Sequence, residues 1–326
     1  MSDSPLVSII IPTFNKSNYI SQTLESVIKQ TYLNWEAIVV DDCSTDETQI
    51  IIKSLHLANP KITYFFSDVN KGGNYCRNTG LRKASGKYVM FLDGDDLITQ
   101  TCLENRVEYM EAQSDMDFSV FPLNCFRKET GDIPFYQWKK SNDPLKAFLI
   151  SVFPWQTMQP MFKYTFLKTT NGYDENLLRL QDVDFFTSIL LLPAVKYSQI
   201  EGPADCFYRI DDKRRSIKEL QILTFHVHAA NRYYLKYKDK IASVGYGRYI
   251  PGIIIHPINL ITNAFKAQLI NQKELKAISA MLYSTTVFTS LSACKKFILY
   301  LLFKSKLKVD QRVKRILRLT RLLFLN

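Results

Sequence analysis

Cysteine is sparse in this chain, and the way it is distributed excludes two kinds of site. There are six cysteines, at positions 43, 76, 102, 125, 206 and 294. They form no Cys-x-x-Cys pair, and no histidine lies near them at the spacing of metal ligands. This distribution argues against a disulfide framework and against a structural zinc site. We therefore expect buried, unreactive thiols in a reducing compartment.

Long apolar runs and a leader segment are also lacking. The longest apolar run near the C-terminus covers residues 297–303, whereas a helix needs about 20 apolar residues to cross a bilayer. The N-terminus is polar and acidic before the first apolar segment, so we expect no signal peptide. The sequence thus predicts a cytoplasmic protein. It is also compatible with peripheral attachment to the inner face of the cell membrane.

Two glycine-rich phosphate-binding motifs are absent as well. The Gly-x-x-x-x-Gly-Lys-Ser/Thr spacing of P-loop enzymes does not occur. The Gly-x-Gly-x-x-Gly motif of dinucleotide-binding proteins is also absent, since the first predicted strand ends in Pro12-Thr-Phe-Asn15 without a glycine. The latter argues against a dinucleotide-dependent dehydrogenase. It also disfavours a nucleotidyltransferase, which would normally carry a glycine-rich basic loop at this point.

Positive charge is present in excess, but it is unevenly placed. The net charge is +11, and residues 304–326 hold eight Lys or Arg against Asp310 alone. Because the charge belongs mainly to one segment, a nucleic-acid-binding function is disfavoured. The apolar fraction of 46% and the charged fraction of 22% over 326 residues are typical of a globular protein with one or two domains.

The basic segment 304–326 also has helical periodicity. Its apolar residues recur at helix spacing, with cationic residues largely between them. This pattern is typical of an amphipathic helix in the headgroup region of an anionic membrane, and we expect this segment to bind such a surface. A helix packed on its own domain, or an oligomer contact, would give the same pattern.

Strands and helices alternate along the first 120 residues. The predicted strands cover residues 7–11, 35–40, 62–66 and 88–92, and the predicted helices cover residues 18–30, 47–57, 74–84 and 103–110. Alternation of this kind, with continuous apolar strands, predicts an α/β fold: a doubly wound, mostly parallel sheet with helices on both faces. We expect residues 1–215 to form this domain and residues 216–326 to form a mainly helical, basic extension.

Polar clusters follow three of the first four predicted strands. They are Thr13-Phe-Asn15, Asp41-Asp42 and Asp93-Gly-Asp-Asp96. Ligands of such sheets bind beyond the carboxyl ends of the strands. The last cluster places three carboxylates within four residues, which suits Mg²⁺ or Mn²⁺ with positions left for diphosphate oxygens. An acidic turn that caps a helix would have the same sequence.

Three further polar positions are candidates for binding or catalysis. Arg77 lies one turn into a helix that follows Gly72-Gly73, an arrangement that suits an anion. The carboxylate of Asp42 can accept a hydrogen bond from the N–H of a base such as uracil. Asp182 and Asp184 precede an apolar helix predicted over residues 185–192, where a carboxylate serves either as a general base or as a helix cap.

Taken together, these residues resemble a known family. Residues 7–15, 39–46, 84–96 and 172–182 look like the motifs of family 2 glycosyltransferases, in the right order and at the right spacing. Members of this family are inverting enzymes with the GT-A fold, and the resemblance is to those of bacterial surface-polysaccharide synthesis. It covers residues 5–215 and implies a UDP-sugar donor, a glycan or lipid-linked acceptor and a Mg²⁺ or Mn²⁺ cofactor.

The resemblance also implies roles for individual residues. The implied nucleotide-sugar-binding residues are Pro12, Thr13, Asn15, Asp41, Asp42, Arg77, Asp93 and Asp95, with Asp42 at the uracil edge. Asp95 and Asp96 would hold the metal ion. Asp182 would be the catalytic base that removes the proton of the acceptor hydroxyl.

Two positions depart from the family pattern. Gln181 stands where the family has Glu before the catalytic Asp, and Asp211 stands where members often have the His of an Arg-x-His motif. Two functions therefore stay open at this point. One is an inverting, metal-dependent glycosyltransferase. The other is a catalytically silent protein on the same fold that binds a sugar nucleotide or a partner.

Overall fold

The chain divides into two interleaved units. The computed structural model describes residues 4–133, 140–210, 219–293 and 296. The first unit comprises Met1–Lys140, Trp155–Asn176 and Ser188–Asp211, and the second comprises Ser141–Pro154, Leu177–Thr187 and Asp212–Asn326. The predicted boundary after residue 215 falls within residues 211–218, outside the described residues.

Within the described residues, ten strands form two sheets. They are β1 (Val7–Thr13), β2 (Trp35–Asp41), β3 (Ile62–Phe66), β4 (Tyr88–Phe91), β5 (Leu97–Ile98), β6 (Phe118–Val120), β7 (Leu123–Phe126), β8 (Pro160–Lys163), β9 (Tyr197–Gln199) and β10 (Cys206–Arg209). The larger sheet has the order β3-β2-β1-β4-β8-β6-β9, and the smaller has the order β5-β10-β7.

The helices of the described residues follow the strands closely in the first half of the chain. They are α1 (Ile20–Ile28), α2 (Thr48–Ala58), α3 (Gly73–Lys83), α4 (Cys102–Ala112), α5 (Pro144–Leu149), α6 (Tyr164–Leu167), α7 (Gln181–Leu190), α8 (Glu219–Ser243), α9 (Ile255–Lys266), α10 (Gln272–Ser284) and α11 (Thr286–Thr289). A 3₁₀ helix, Ile250–Ile254, precedes α9.

The mostly parallel sheet is confirmed, with one local difference. The neighbours β3, β2, β1 and β4 pair in parallel, as strand-helix alternation predicts. β8 then runs antiparallel to both β4 and β6, and β6 pairs in parallel with β9. The reversed strand comes from the irregular, proline-rich middle of the chain, where the regular alternation of strand and helix ends: β6 and β7 follow each other without an intervening helix.

Helices cover both faces of the sheet around β1. Every residue of β1 is buried. Its residues Val7, Ile9 and Ile11 share one apolar cluster with residues of α1 and α2. Ile10 points to the opposite face because side chains alternate along a strand, and a Cβ on Gly80 of α3 would lie only 2.4 Å from Cγ2 of Ile10. Glycine at position 80 thus lets α3 lie against the strand that carries the predicted site.

One predicted helix begins earlier than expected. Periodicity predicts a helix over residues 185–192, preceded by Asp182 and Asp184, but α7 spans Gln181–Leu190. Both acids lie in the first turn of α7, where carboxylates interact favourably with the positive end of the helix dipole. The apolar periodicity marks the core-facing residues of the helix and misses this polar first turn.

The second unit is helical in its described part, as predicted for the C-terminal region. The phenol of Tyr233 on α8 hydrogen bonds with the hydroxyl of Thr187 at 2.7 Å. Across the described residues, no helix is both long enough and apolar enough to pass through a membrane. The segment 304–326, for which we expect a membrane-surface helix, lies outside the described residues.

Three of the five described cysteines fit the expectation of buried, unreactive thiols, whereas Cys43 and Cys125 are half-buried. The cysteines at positions 43, 76, 102, 125 and 206 are free. Burial raises the pKa of Cys76 to about 12, and burial also raises the pKa values of Cys102 and Cys206. Because the thiolate is the reactive form, these three side chains are poor nucleophiles.

Candidate active site

Three strand ends of the first unit meet at one edge of the larger sheet. β1 lies between β2 and β4, and its last residue, Thr13, pairs with Asp41 at the end of β2. The backbone N–H of Asp42 donates to the carbonyl of Thr13 at 2.9 Å, and that of Gly94 donates to the carbonyl of Pro12 at 3.2 Å. The three predicted polar clusters are therefore neighbours in space.

The close approach of the ends of β1 and β4 depends on Gly94. A Cβ at this position would lie 2.9 Å from Oγ1 of Thr13 and 3.3 Å from the carbonyl oxygen of Pro12. Thr13 itself is 4% exposed, and within the described residues its hydroxyl has no hydrogen-bond partner. A buried hydroxyl without a partner costs free energy, which a ligand that hydrogen bonds to it would recover.

The loop after β1 is fastened to the loop after β2. The backbone N–H of Asn15 donates to Oγ of Ser44, and Oδ1 of Asn15 accepts from the backbone N–H of Thr45, both at 2.8 Å. Asp41 accepts from the backbone N–H of Ser44 at 2.9 Å and from the amide of Gln49 at 2.7 Å. Asn15 and Asp41, both predicted to face the nucleotide, thus also hold the loops in place.

Asp42 is tied to the helix that follows β3. Its two carboxylate oxygens accept from the backbone N–H groups of Lys71 and Gly72, each at 2.7 Å. These groups immediately precede α3, where N–H donors have no partner within the helix. Asp42 is buried, with 3% of its surface exposed. Its two hydrogen bonds fix the start of α3 relative to β2.

Arg77 is paired with the first acid of the Asp93–Asp96 cluster. Its guanidinium donates to Oδ1 of Asp93 at 2.7 Å, and it lies over the ring of Tyr173 at 5.3 Å. The Arg77 side chain is 7% exposed, whereas that of Asp93 is 40% exposed. A buried guanidinium whose partner reaches solvent is suited to bind an anion that replaces or joins Asp93.

Asp95 and Asp96 are buried and held by cationic residues. The ammonium of Lys16 forms an ion pair with Asp95 at 2.5 Å. Arg209 donates its backbone N–H to Oδ1 of Asp96 at 2.8 Å and its Nε–H to the carbonyl of Asp95 at 2.7 Å. Arg209 therefore fixes the backbone and one carboxylate of the predicted metal-binding pair, while Lys16 neutralises the other carboxylate.

The carboxylates of Asp95 and Asp96 suit a hard divalent ion that is also coordinated by a ligand. Among the described residues, no group of three or more His, Cys, Asp or Glu side chains is placed to hold a metal ion. Mg²⁺ is commonly bound by one or two carboxylates together with substrate phosphates. Asp95 and Asp96 provide carboxylate oxygens of this kind, so the residues fit an ion that arrives with a diphosphate.

The predicted base lies in the second unit. Asp182 is half-buried in the first turn of α7. Asp184, the other acid of this turn, is buried, and its two oxygens accept from the ammonium of Lys236, each at 2.9 Å. Asp184 therefore has a structural role within this unit. Of the two acids, Asp182 remains the candidate for a general base.

Two contacts of the site could not be seen in the sequence. Asn78 accepts from the backbone N–H of Tyr173 and donates to its carbonyl, both at 2.8 Å. It also donates to the carboxylate of Glu175 at 2.8 Å. The other contact is that of Lys16. The only sequence signals were an amide beside Arg77 and a basic residue just after Pro12-Thr-Phe-Asn15, and neither identifies its partner.

Comparison with curated proteins finds relatives that are named glycosyltransferases. The chain is 41% identical over 110 residues to "Putative teichuronic acid biosynthesis glycosyltransferase TuaG" of Bacillus subtilis, a match that covers 34% of this chain and 44% of TuaG. It is 42% identical over 108 residues to an Escherichia coli protein, covering 33% of this chain and 42% of that protein. That protein is named "UDP-Glc:alpha-D-GlcNAc-diphosphoundecaprenol beta-1,3-glucosyltransferase WfgD". The chain thus spans less than half the length of either relative.

Comparison with solved structures finds the same fold. Staphylococcus aureus TarS, residues 1–349, superimposes with a TM-score of 0.62 at 18% identity, covering 98% of this chain and 90% of TarS. The complex of TarS with UDP-GlcNAc gives a TM-score of 0.56 at 18% identity, covering 87% of this chain and 90% of the other. Mannosyltransferase PcManGT from Pyrobaculum calidifontis, "in complex with GDP-Man and Mn2+", gives 0.53 at 18% identity, covering 95% and 89%. The predicted GT-A fold is confirmed.

The family assignment follows from the length of chain that the family's pattern covers. The sequence model of the family described as "Glycosyl transferase family 2" matches residues 8–172. That range contains β1 except for its first residue, β2 to β4 and all three polar clusters, and it includes Arg77 and Asn78. The motif resemblance is thereby confirmed over half of the sequence: the chain belongs to glycosyl transferase family 2.

Proposed function

We propose that this protein transfers a sugar from a UDP-sugar to a hydroxyl group of a glycan or lipid-linked acceptor, with inversion at the anomeric carbon. One observation carries the proposal. The ends of β1, β2 and β4 bring Thr13, Asp42 and the Asp93–Asp96 cluster to a single edge of the sheet, and two cationic side chains, Lys16 and Arg77, pair with that cluster. This combination suits a nucleoside diphosphate and its cation.

The names of related proteins support the same class of substrates. WfgD is named for a UDP-Glc donor and a diphosphoundecaprenol acceptor, TuaG for teichuronic acid biosynthesis, and a TarS structure contains UDP-GlcNAc. We accordingly place the present protein in bacterial polysaccharide biosynthesis.

In this proposal each residue of the site has a defined task. Asp95 and Asp96 would hold Mg²⁺ or Mn²⁺, which when bound supplies positive charge for the diphosphate leaving group. Arg77 adds a buried positive charge beside Asp93. Asp182 takes the proton of the acceptor hydroxyl as its oxygen attacks the anomeric carbon from the face opposite the leaving group. A single displacement of this kind inverts the stereocentre and needs no enzyme nucleophile.

A donor screen tests the proposed activity. UDP-Glc, UDP-Gal, UDP-GlcNAc, UDP-GalNAc and GDP-Man are incubated with the protein, and nucleotide release is measured with Mn²⁺ and with a chelator. We expect release from at least one UDP-sugar, dependent on the metal ion and lost in Asp95→Asn, Asp96→Asn and Asp182→Asn. Activity that survives in all three variants would remove the proposed site.

A catalytically silent sugar-nucleotide-binding protein on the same fold is the second candidate. Gln181 favours it, because the amide lacks the charge that the family places beside the catalytic Asp. Isothermal titration with UDP and Mn²⁺, set beside the donor screen, separates the two functions. Binding without turnover in any acceptor mixture would favour the silent protein.

We further propose that residues 304–326 bring the protein to an anionic membrane surface, where a lipid-linked acceptor would be found. The support is their amphipathic, basic sequence pattern, with about 1 kcal/mol of attraction for each cationic residue near such a surface. Co-sedimentation with liposomes containing phosphatidylglycerol should fall when residues 304–326 are deleted. Unchanged sedimentation would contradict this role.

A further inference from the structure

The ion pair between Lys16 and Asp95 lies at the position where the proposed cation must bind. The ammonium nitrogen is 2.5 Å from Oδ2 of Asp95, and the two side chains are 22% and 3% exposed. A buried carboxylate needs a compensating charge. Lys16 supplies this charge to Asp95.

Hydrogen bonds hold the backbone of Lys16 and so fix the position from which its side chain extends. Its N–H donates to Oγ1 of Thr48 at 2.8 Å, and its carbonyl accepts from the N–H groups of Tyr19 and Ile20 at 2.8 and 2.9 Å. The next residue, Ser17, donates its N–H to the carboxylate of Asp46 at 3.1 Å. The start of α2 and the start of α1 thus fix the residue from which the ammonium reaches Asp95.

An ammonium and a divalent ion cannot share the same carboxylate without repulsion. Two like charges about 4 Å apart repel strongly near a protein surface, and a divalent ion doubles the effect. A cation can therefore bind Asp95 well only when Lys16 moves away. A diphosphate brought by the donor offers the ammonium a new anionic partner within the same site.

We propose that Lys16 is a positioning residue that couples binding of the divalent ion to binding of the nucleotide diphosphate. Without nucleotide, its ammonium pairs with Asp95 and keeps the divalent ion weakly bound. When the nucleotide binds, the ammonium moves to a diphosphate oxygen and leaves Asp95 to the divalent ion. This inference rests on the proposed function, since it assumes a nucleoside diphosphate at this edge of the sheet.

The coupling makes a prediction that a merely structural ion pair does not make. Coupling between two ligands is reciprocal, so nucleotide must raise the affinity for the ion, and the ion must raise the affinity for nucleotide. If Lys16 carries part of that coupling, Lys16→Met should increase the affinity for the ion in the absence of nucleotide. A structural pair would instead change only the stability of the fold.

The experiment measures Mn²⁺ binding to the full-length protein by electron paramagnetic resonance of free Mn²⁺, with and without saturating UDP. Isothermal titration gives the affinity for UDP with and without Mn²⁺. The proteins are the wild type, Lys16→Met, Lys16→Arg and a control, Lys87→Met. Lys87 forms a more exposed ion pair with Glu111 at 2.6 Å, and it precedes β4, at the end of the strand opposite the Asp93–Asp96 cluster.

Without UDP, Lys16→Met should bind Mn²⁺ roughly tenfold more tightly than the wild type. With chelator, it should bind UDP roughly tenfold more weakly, because a charge-assisted hydrogen bond is lost. Lys16→Arg, which keeps the charge, and Lys87→Met should both behave like the wild type. The factor by which UDP increases Mn²⁺ affinity should therefore fall in Lys16→Met alone.

Two negative outcomes are distinguishable. If Lys16→Met binds Mn²⁺ without UDP no better than the wild type, the inference about Lys16 is wrong while the proposed function stands. If the wild type binds no UDP even with Mn²⁺, the proposed function itself fails, whatever Lys16 does to Mn²⁺ affinity. Urea unfolding midpoints of the four proteins show whether a change in binding reflects loss of the fold.

Discussion

Asp42 stabilises the fold and is also expected to bind the nucleotide. Its carboxylate accepts two backbone N–H groups that precede α3, while the family resemblance assigns it to the uracil edge. A carboxylate has about four lone-pair sites. Two backbone bonds therefore leave capacity for a base N–H.

At the residue scale we expect Asp42→Ala to destabilise the protein as well as to weaken nucleotide binding. Loss of two charge-assisted hydrogen bonds should lower the free energy of unfolding by about 3 kcal/mol or more, because each contributes about 1.5–3 kcal/mol. Urea unfolding followed by circular dichroism measures this change. Asp68→Ala, which removes an exposed acid three residues before Lys71, is the control. Equal midpoints for Asp42→Ala and the wild type would contradict the structural role.

The sequence identifies the acids of the site but not the groups that hold them. Asp41, Asp42 and the Asp93–Asp96 cluster could be predicted because strand ends in a parallel sheet converge. Lys16 and Asp95 are 79 positions apart, and nothing in local periodicity reports which donor reaches which carboxylate. Partner choice is set by tertiary packing, so these contacts needed the structure.

Helix α3 joins the sheet to the Gly172–Glu175 loop. The side-chain amide of Asn78 forms two hydrogen bonds with the backbone N–H and carbonyl of Tyr173. Two strand residues pair through the same arrangement of one donated and one accepted bond. Asn74 of the same helix donates to the carbonyl of Asp174 at 2.7 Å. Because Arg77 lies between these two amides, the loop and the guanidinium are positioned by one element.

At the element scale we expect Asn78→Ala to release the 172–175 loop without unfolding the sheet. Three hydrogen bonds are lost, two of them to backbone groups of the buried Tyr173, and removing a partner from a buried polar group costs about 1–3 kcal/mol. Hydrogen exchange measured by mass spectrometry should increase in this loop. Asn105→Ala on α4, an exposed amide whose side chain donates to Thr101 at 3.3 Å, is the matched control. Unchanged exchange in the loop would count against the role of Asn78.

The elements themselves were largely predictable where periodicity is strong. The predicted strand 62–66 has the bounds of β3, and the other early elements differ from prediction by one or two residues at most ends. The antiparallel position of β8 was not predictable. Pairing between β8 and its neighbours β4 and β6 joins segments far apart along the chain, and strand patterns do not encode direction.

At the scale of the whole molecule, the second unit contains a pair of histidines that resist protonation. The rings of His226 and His256 are 5.0 Å apart. Burial, the neighbouring His256 and the charge of Arg179 lower the pKa of His226 to about 3. Burial lowers the pKa of His256 to about 4.

We expect the free energy of unfolding to fall as the pH drops from 6.5 towards 4. The unfolded chain protonates both histidines near pH 6.5, whereas the folded chain does so only near their lowered pKa values. Between these limits the unfolded state binds more protons, so each histidine reduces stability by up to about 1.4 kcal/mol per pH unit. Stability from this source is fully present above pH 6.5.

Urea unfolding at pH 7, 6 and 5 measures this dependence. The double variant His226→Leu/His256→Phe should show a flatter pH dependence than the wild type. His228→Leu, which alters an exposed histidine of the same helix, should leave the dependence unchanged. A wild type as stable at pH 5 as at pH 7 would contradict the assignment of two neutral, half-buried histidines.

The central claim is that the acids at the ends of β2 and β4, beside Thr13 at the end of β1, bind a nucleoside diphosphate together with a divalent cation. A crystal structure of the protein with UDP and Mn²⁺, with data collected at the manganese absorption edge, tests it most directly. We predict that the anomalous peak marks a Mn²⁺ ion coordinated by a carboxylate of Asp95 or Asp96 and by the diphosphate, with the uracil near Asp42. An anomalous peak elsewhere, or UDP bound away from these strand ends, would contradict the account.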